Sequence, residues 1–502
     1  MSGGFFRYLR RRRPKPVTPP YRQTGFVALP VLKTGRLVAV LTRWHRLLAL
    51  PAGVAVLLWG LTGVMHPIMS ALSPQAQRPT PAAPLPAGLK PVVPALTGPA
   101  RELRLTTFAG RPAWQWLALD GAQRHWADAQ TGREIVDADR IEAERLARAF
   151  AGDSSSPITR ITPITAFGGD YPAMNKILPV WRVEFDRGDG LTAFVDTGEA
   201  RLSTLTNDSK RVLMGAFVLL HSWAWASEPL RLAGITTLLG CGLLTVLGGL
   251  ALWLSRRRAG TLKPGQQRLR RWHRGLGVAV GIAGVMLIVS GLVHLYFARA
   301  PSPTPAAPVP GVMPPLAEVP DGVARLSAVN VGGRGLWLAA PAGGARPTAE
   351  HQHHQADAAS TLPRYWDGAN WTDVDVAQRH ARELAQRAGA PSDAAATISL
   401  VTQFGGEYGF FQKRLPVYRV DYAVPGKPAY YLEPATGAFS VRIDNRDRLE
   451  GYVFAYLHKW HWLDGLGKTA RDLILAGFAA ANVAAAALGL TLWWRRRDAR
   501  RR

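Results

Sequence analysis

Cysteine is almost absent from this sequence of 502 residues, which contains only Cys241. A single thiol excludes a disulfide framework, and no Cys-x-x-Cys-His site for covalent haem attachment is present. Signatures of several enzyme classes are also missing, since there is no nucleophile elbow, no His-Glu-x-x-His, no P-loop and no dinucleotide fingerprint. Any haem would therefore have to be held without a covalent bond.

Acidic residues are scarce beside the basic ones, with 35 Asp and Glu against 61 Lys and Arg. The arginines cluster at Arg7–Lys15, Arg256–Arg274 and Arg495–Arg502, each next to a long apolar run. No stacking aromatic residues or recognition motif accompany these clusters, so nucleic acid is not a predicted partner. Their placement follows the positive-inside rule and therefore reports membrane topology.

Four apolar runs are long enough to cross a bilayer, which takes about 20 residues. The first follows a long basic stretch without a cleavage site of small residues, which predicts a retained span and not a signal peptide. Asp and Glu are absent from all four, which counts against a proton-coupled transporter. The runs are Leu47–Met65, Leu232–Leu254, Leu276–Phe297 and Leu473–Trp494.

The sequence repeats itself. Residues 43–66 and 271–294 both open with Arg-Trp-His-Arg and close with Gly-x-x-His, at a constant offset of 228. LPVWRVEF at 178–185 corresponds to LPVYRVDY at 415–422, at an offset of 237. Both halves would begin on the cytoplasmic side, so we predict parallel tandem repeats related by a pseudo-twofold axis along the membrane normal.

The two segments between the spans share a pattern that predicts an α+β domain. Each opens with a linker rich in Pro and Ala, Ser73–Pro99 or Ala300–Gly322. Each continues with a helix and then with alternating strands that end in turn signals. The predicted helices are Arg140–Phe150 and Val374–Ala388, and the predicted strands are Trp181–Phe185, Ala193–Gly198, Tyr418–Tyr422 and Tyr430–Gly437.

The predicted fold is a four-helix transmembrane bundle with two periplasmic α+β domains, in a bacterial inner membrane with both termini cytoplasmic. The predicted order is a basic cytoplasmic segment 1–42, span one 43–70, periplasmic domain 71–212, helix extension and span two 213–255, cytoplasmic loop 256–272, span three 273–298, periplasmic domain 299–449, helix extension and span four 450–495, and a basic tail 496–502.

Six of the twelve histidines lie at the membrane as repeat-matched pairs, and histidine in a span is a functional candidate by default. His45 and His66 are 21 residues apart, about 31 Å along a helix, which is the thickness of the hydrocarbon core. One helix thus presents an imidazole at each membrane surface. We predict two non-covalent b-type haems, each between two histidines of different repeats. The pairs are His45/His273, His66/His294 and His221/His458.

The inner haem is assigned to His45 and His273, whereas two alternatives remain open for the outer one. His221 and His458 precede the apolar runs of spans two and four, at or above the headgroups. They could ligate the outer haem in place of His66/His294, or they could bind a second outer haem. His461 is a weaker candidate, because Ala224 occupies its counterpart. Arg46 and Arg274 could pair with haem propionates. The simpler alternative is that all these residues are interfacial anchors.

A dense cluster, His351, His353 and His354, lies in a predicted periplasmic loop and could bind copper or zinc. It has no counterpart in the first repeat. A solvated loop without metal is the simpler interpretation.

These features resemble the PepSY-associated transmembrane family. The resemblance is carried by Trp-His-Arg before spans one and three, Thr-Gly or Ser-Gly near their ends, Leu-His before spans two and four, and the turn motifs at Trp126–Gly132, Phe194–Gly198 and Glu433–Gly437. It implies a di-haem reductase that passes electrons to a periplasmic ferric siderophore, with a separate cytoplasmic or quinol donor. Two alternatives remain open. The association of PepSY modules elsewhere with restraint of peptidases suggests an anchored binding or inhibitory module without redox activity, and metal binding by the histidine cluster would favour a transporter or an accessory protein for iron or copper uptake.

Overall fold

A computed structural model describes residues 34–77, 83–96, 99–119, 121, 123–258, 268–298, 313–342, 364–372, 374–409, 413–433 and 436–501. Its helices are α1 Thr34–Leu47, α2 Ala49–Leu72, α3 Ala138–Ala151, α4 Asp208–Phe217, α5 Glu228–Arg258, α6 Arg268–Phe297, α7 Val374–Arg387, α8 Asn445–Val453 and α9 Lys468–Arg501. Four of them, α2, α5, α6 and α9, are long and apolar enough to cross a membrane. The last three contain the corresponding predicted runs, and α2 contains the first run from Ala49 onward, since Leu47 ends α1.

These four helices form a ring in which each packs against two others, in the order α2, α5, α6 and α9. Small residues allow the close approaches. A Cβ atom on Gly60 of α2 would lie 2.6 Å from the Val483 side chain of α9, and one on Gly281 of α6 would lie 3.0 Å from Leu250 of α5. Helix association in a membrane depends on such close packing, because lipid supplies no hydrophobic driving force between helices.

The strands form three antiparallel sheets. A central sheet has six strands in the order β10-β9-β8-β1-β2-β3, and two outer sheets have four each, β4-β5-β6-β7 and β11-β12-β13-β14. Their bounds are β1 Ala100–Phe108, β2 Arg111–Ala118, β3 Arg124–Asp128, β4 Ile158–Ile164, β5 Val180–Phe185, β6 Thr192–Asp196, β7 Arg201–Thr206, β8 Val323–Val331, β9 Arg334–Pro341, β10 Arg364–Trp366, β11 Ala396–Val401, β12 Val417–Tyr422, β13 Ala429–Glu433 and β14 Ala438–Ile443.

The central sheet joins the two repeats. Strand β1 of the first pairs antiparallel with β8 of the second, with Arg104 opposite Ser327 and Leu105 opposite Leu326. Three strands from each repeat then follow in mirrored order on either side of this junction. The pairing covers an edge strand of each half, which would otherwise expose unpaired backbone groups. The sequence predicted two segments but not the sheet that they share.

Each outer sheet carries a helix on one face, α3 on β4–β7 and α7 on β11–β14. The helices and strands predicted here are confirmed, with small shifts at their ends. A loop covers the opposite face of each sheet. In the first repeat Tyr171 stacks on Phe194 at 4.7 Å between ring centroids, and in the second Tyr408 stacks on Tyr431 at 4.6 Å. We name residues 165–179 of the first repeat, and the described residues 402–409 and 413–416 of the second, the aromatic loops.

A buried ion cluster ties the outer sheets to the central one. The Glu199 carboxylate, after β6, accepts hydrogen bonds from Arg104 of β1 at 2.8 Å and from Arg325 of β8 at 2.9 Å. It also accepts one at 2.9 Å from Arg414, in the aromatic loop of the second repeat. One carboxylate thus contacts both repeats. Buried charges are tolerated when they are paired in this way.

Candidate functional site

His45 and His273 lie together at the arginine-rich end of the bundle. His45 is in the last turn of α1 and His273 in the second turn of α6. Their ring centroids are 6.3 Å apart and the ring planes are tilted by 48°. The repeat pairing led us to expect these two imidazoles to face each other, and the structure brings them together.

Each of these rings is held by a backbone carbonyl of the neighbouring helix in its own repeat. The Nδ1 atom of His45 lies 2.9 Å from the Thr245 carbonyl of α5, and that of His273 lies 2.9 Å from the Ala485 carbonyl of α9. A carbonyl can only accept, so each Nδ1 carries the proton and each Nε2 keeps its lone pair. This is the arrangement that orients a histidine as a metal ligand.

Two glycines leave space for the rings. A Cβ atom on Gly249 of α5 would lie 3.2 Å from Cε1 of His45, and one on Gly489 of α9 would lie 2.9 Å from Cε1 of His273. Both glycines occur in matching sequences, LGGLALWL at 247–254 and ALGLTLWW at 487–494. Gly249 and Gly489 are thus equivalent at a third repeat offset of 240, as are Thr245 and Ala485. The two offsets found in the sequence, 228 and 237, did not reveal this one.

The arginines next to this pair lie at the same end. Arg46 directly follows His45 and is exposed, whereas Arg274 directly follows His273 and is half-buried. Their positions suit either an interfacial anchor or a contact with an anionic group at the bundle surface.

His221 and His458 occupy equivalent places toward the other end, where α2 and α6 lead into the sheets; we name this the domain end. Both residues lie in π-helical turns, Val218–Ser222 and Phe454–His458. Such turns occur frequently at functional sites. Each imidazole stacks on a phenylalanine four residues earlier in the chain: His221 on Phe217, the last residue of α4, at 4.4 Å and His458 on Phe454 at 4.8 Å between centroids.

Buried hydroxyls hold these two rings as the carbonyls hold the first pair. The Nδ1 atom of His221 lies 2.8 Å from Oγ1 of Thr62, and that of His458 lies 3.0 Å from Oγ of Ser290. Thr62 and Ser290 are 2% and 0% exposed and occupy equivalent positions in α2 and α6. Both histidines therefore contact the transmembrane helices within their apolar length, deeper than the sequence led us to expect.

Helix α6 contacts both pairs of histidines and therefore gives the distance between them; we name His45 with His273, and His221 with His458, the two histidine layers. Ser290, which holds His458, is 17 residues after His273, which corresponds to about 25 Å along the helix. The indole of Trp59, three residues before Thr62 on α2, lies at the level of His221: it donates to the His221 carbonyl at 2.9 Å and stacks on Trp223 at 5.9 Å.

The remaining predicted pair, His66 and His294, does not have equivalent partners in the two repeats. His294 bonds through Nδ1 to the Glu450 carboxylate of α8 at 2.6 Å, and its side chain is 51% exposed. Leu213 occupies the position equivalent to Glu450 in the first repeat, so no carboxylate is available there. His66 lies on α2, but its side chain is outside the described residues.

Of the weaker candidate ligands, the structure describes His461 but not the cluster of three histidines. The His461 Nδ1 atom lies 2.8 Å from the Asp464 carboxylate and 2.9 Å from the Arg471 guanidinium at the start of α9. His351, His353 and His354 lie outside the described residues. Within the described part of the chain, no group of three or more His, Cys, Asp or Glu side chains could hold a metal ion. Pairs of histidines are therefore the candidate ligands.

Comparison with protein families identifies the chain's relatives. Residues 42–381 match the family described as PepSY-associated TM region. The chain belongs to this family. It is accordingly a membrane protein, and its apolar helices contact the lipid bilayer. No curated protein matches the sequence.

Proposed function

We propose that this PepSY-TM protein holds two b-type haems in its helix bundle and passes electrons across the bacterial inner membrane to a periplasmic acceptor such as a ferric siderophore. The observation that carries the proposal is the geometry of His45 and His273. Their ring centroids lie 6.3 Å apart with the planes tilted by 48°, and both Nδ1 atoms are bonded to helix carbonyls. Both Nε2 lone pairs therefore remain for a shared metal.

The residues present fit a haem iron. Metal–nitrogen bonds to histidine are about 2 Å long, so two imidazoles that both bound one iron through Nε2 would have ring centroids roughly 6 Å apart. The observed separation is 6.3 Å. Apolar helices around the rings exclude water and lower the local dielectric, which favours a cofactor held without a covalent link. When bound, haem supplies reversible one-electron chemistry.

The second layer supports a second site near the domain end. His221 and His458 are oriented by equivalent hydroxyls, as His45 and His273 are by equivalent carbonyls. Because the two layers lie about 25 Å apart along α6, they suit cofactors near opposite membrane faces. The duplication thus supplies one ligand from each repeat at each level.

The distribution of arginines supports the direction of transfer. The basic clusters Arg256–Arg258, Arg268–Arg274 and Arg495–Arg497 lie at the end occupied by His45 and His273. By the positive-inside rule this end is cytoplasmic, and the sheets are periplasmic. Electrons from a separate cytoplasmic or quinol donor would enter there and leave beneath the sheets. At the acceptor, Fe(III) takes one electron and becomes Fe(II), which hard oxygen ligands bind less tightly; this acceptor class rests on family analogy.

The test of electron transfer uses the purified, reduced protein under anaerobic conditions. We expect mixing with a ferric hydroxamate chelate and an Fe(II)-specific dye to bleach the reduced haem band and to colour the dye in equal amounts. The gallium(III) chelate is the matched control, because gallium accepts no electron. A haem band that persists with the ferric chelate would contradict a role in reducing such acceptors.

A substitution at Gly489 tests the basic-end site independently of the histidines. Gly489→Ala places a Cβ atom where it meets the His273 ring at 2.9 Å, so we expect the haem content to fall by roughly one haem per chain. Gly477→Ala in the same helix is the control, because nothing lies within 4 Å of its Cβ position. Both substitutions share the general effect of alanine on a helix, which alanine favours over glycine by about 1 kcal/mol. An equal loss of haem in both variants would therefore contradict the explanation that the new Cβ atom displaces the His273 ring.

A further inference from the structure

We propose that the second repeat holds a binding site for the head ring of a membrane quinone, in a cavity that opens to the lipid. The cavity lies between α6, α9 and the turn that precedes α9, and its volume is about 250 Å³. The site is separate from the two histidine layers. Its use, to hold a lipid-soluble electron carrier beside them, rests on the proposed function.

The size and lining of the cavity suit a single flat ring with an apolar tail. Three aromatic side chains line it, Trp460, Trp462 and Phe478, and the first and last meet edge to face at 5.2 Å between centroids. The lining residues Ile282 and Trp462 are 69% and 56% exposed and therefore face the lipid. Pockets that enclose a whole drug-sized ligand measure roughly 300–1,000 Å³. This cavity is smaller, so the tail of its ligand would extend into the bilayer.

A polar triad, His461, Asp464 and Arg471, lies on the domain-end side of this cavity. His461 stands between two lining tryptophans in the sequence, and Arg471 precedes the lining residue Ile474 by one turn of α9. The Nδ1 atom of His461 lies 2.8 Å from the Asp464 carboxylate and 2.9 Å from the Arg471 guanidinium. The carboxylate only accepts and the guanidinium only donates, so Nδ1 satisfies one of them at a time.

The two tautomers of His461 match the two redox forms of a quinone. A proton on Nδ1 is donated to Asp464 and leaves Nε2 as an acceptor, whereas a proton on Nε2 lets Nδ1 accept from Arg471 and makes Nε2 a donor. Nε2 forms no hydrogen bond to the residues that the structure describes. It can therefore donate to a quinone carbonyl or accept from a hydroquinone hydroxyl.

An anionic phospholipid suits the triad less well. The Arg471 guanidinium is already paired with the carboxylates of Asp464 and Asp472, and Lys468 also lies 3.3 Å from Asp472. These ion pairs leave little net attraction for a phosphate group. A neutral head that both accepts and donates is the better match.

The first repeat serves as an internal comparison for the triad. At the offset of 237, Ala224 and Ser227 stand where the second repeat has His461 and Asp464. Arg231 is equivalent to Arg471 at the offset of 240. The arginine therefore belongs to the shared architecture, whereas the histidine and the carboxylate are particular to the second repeat.

The first repeat also fills the space that corresponds to the cavity. Trp59 stacks there on Trp223 at 5.9 Å, and a Cβ atom on Gly234 would lie 2.7 Å from the Trp223 ring. The second repeat has Leu287 in place of Trp59 and Ile474 in place of Gly234. The cavity and the triad thus differ from the first repeat at the same place, which indicates a ligand and not a requirement of packing.

The test uses the full-length protein in phospholipid nanodiscs and decylubiquinone as the probe. Bound quinone is measured in excess over discs without protein. Ala279→Phe fills the cavity from its exposed rim, and we expect the affinity to fall about tenfold or more. Ala484→Phe is the matched control, because this alanine is exposed on α9 and does not line the cavity. It should bind as the wild type does.

Two variants of the triad test the recognition of the head ring. His461→Phe should weaken decylubiquinone and its hydroquinone, measured anaerobically, by about five- to tenfold each. Asp464→Ala removes the acceptor of the Nδ1 proton, so the ring should keep its proton on Nε2. We expect this variant to weaken the hydroquinone at least about fivefold more than the quinone.

Equal losses in Ala279→Phe and Ala484→Phe, unchanged binding in His461→Phe, or equal weakening of both redox forms in Asp464→Ala would overturn the proposal. So would a phospholipid that is retained by the wild type and lost in Ala279→Phe while no quinone binds. Should Ala279→Phe fail to fold, the two triad variants decide. The measurement counts bound quinone and no electrons. Its failure leaves the haem count and the electron-transfer test standing, and the reverse also holds.

Discussion

Replacing His273 with alanine is expected to lower the haem content from about two per chain to about one. The variant removes one of two neighbouring imidazoles and leaves a cavity beside Gly489. His45→Ala should have the same effect, because in the proposed site each of the two neighbouring rings would supply one Nε2. The measurement is a pyridine haemochrome count on the purified variant, with protein determined separately.

His125→Ala is the matched control for this loss. That histidine is exposed on β3 and contacts Glu134 at 3.2 Å, outside the bundle. We expect it to retain both haems. A full haem count in His45→Ala and His273→Ala would show that the pair serves only as an interfacial anchor.

Replacing His458 with alanine is expected to remove the other haem, while His294→Ala keeps it. The reason is that His221 and His458 have equivalent partners in the two repeats: each is hydrogen-bonded to a buried hydroxyl and stacked on a phenylalanine. His294 bonds to Glu450, which has leucine at the equivalent position. Spectra of His221→Ala should match those of His458→Ala.

Replacing Ser290 tests the same site with a smaller expected loss of haem, because the variant removes the support of the His458 ring and not the ring itself. Ser290→Ala keeps the His458 imidazole but removes its bond at 3.0 Å, and loss of such a supporting bond lowers metal affinity by about 10- to 100-fold. We therefore expect partial haem occupancy in that variant. If His294→Ala loses the second haem and His458→Ala does not, the outer ligands are His66 and His294.

Much of this architecture can be predicted from the sequence, because each pattern occurs in both repeats and the second copy supports the interpretation of the first. The four apolar runs, the α+β pattern and the pairing of His45 with His273 all follow from the length of the runs, their periodicity and the repeat offset. The β1–β8 pairing does not follow, because the strand patterns of β1 and β8 do not specify which edge strand each will meet. Only the assembled chain shows that each half covers the open edge of the other.

The depth of His221 and His458 was also beyond the sequence. The number of residues before the apolar runs predicted a position at or above the headgroups for both, because that count assumes a chain that continues outward from the membrane. In the structure the π-helical turns are followed by Trp223 and Trp460, whose φ angles are +51° and +53°. Non-glycine residues rarely adopt this conformation. The chain reverses at these residues and leaves each histidine against a transmembrane helix.

The most direct test of the central claim is the visible spectrum of the purified wild-type protein, oxidised and dithionite-reduced, with a haemochrome count. The paired histidines predict a sharp reduced α-band and about two b-type haems per chain. A colourless protein, produced with haem available, would contradict the electron-transfer account. The histidines would then be membrane anchors, and the sheets above them a binding or inhibitory module.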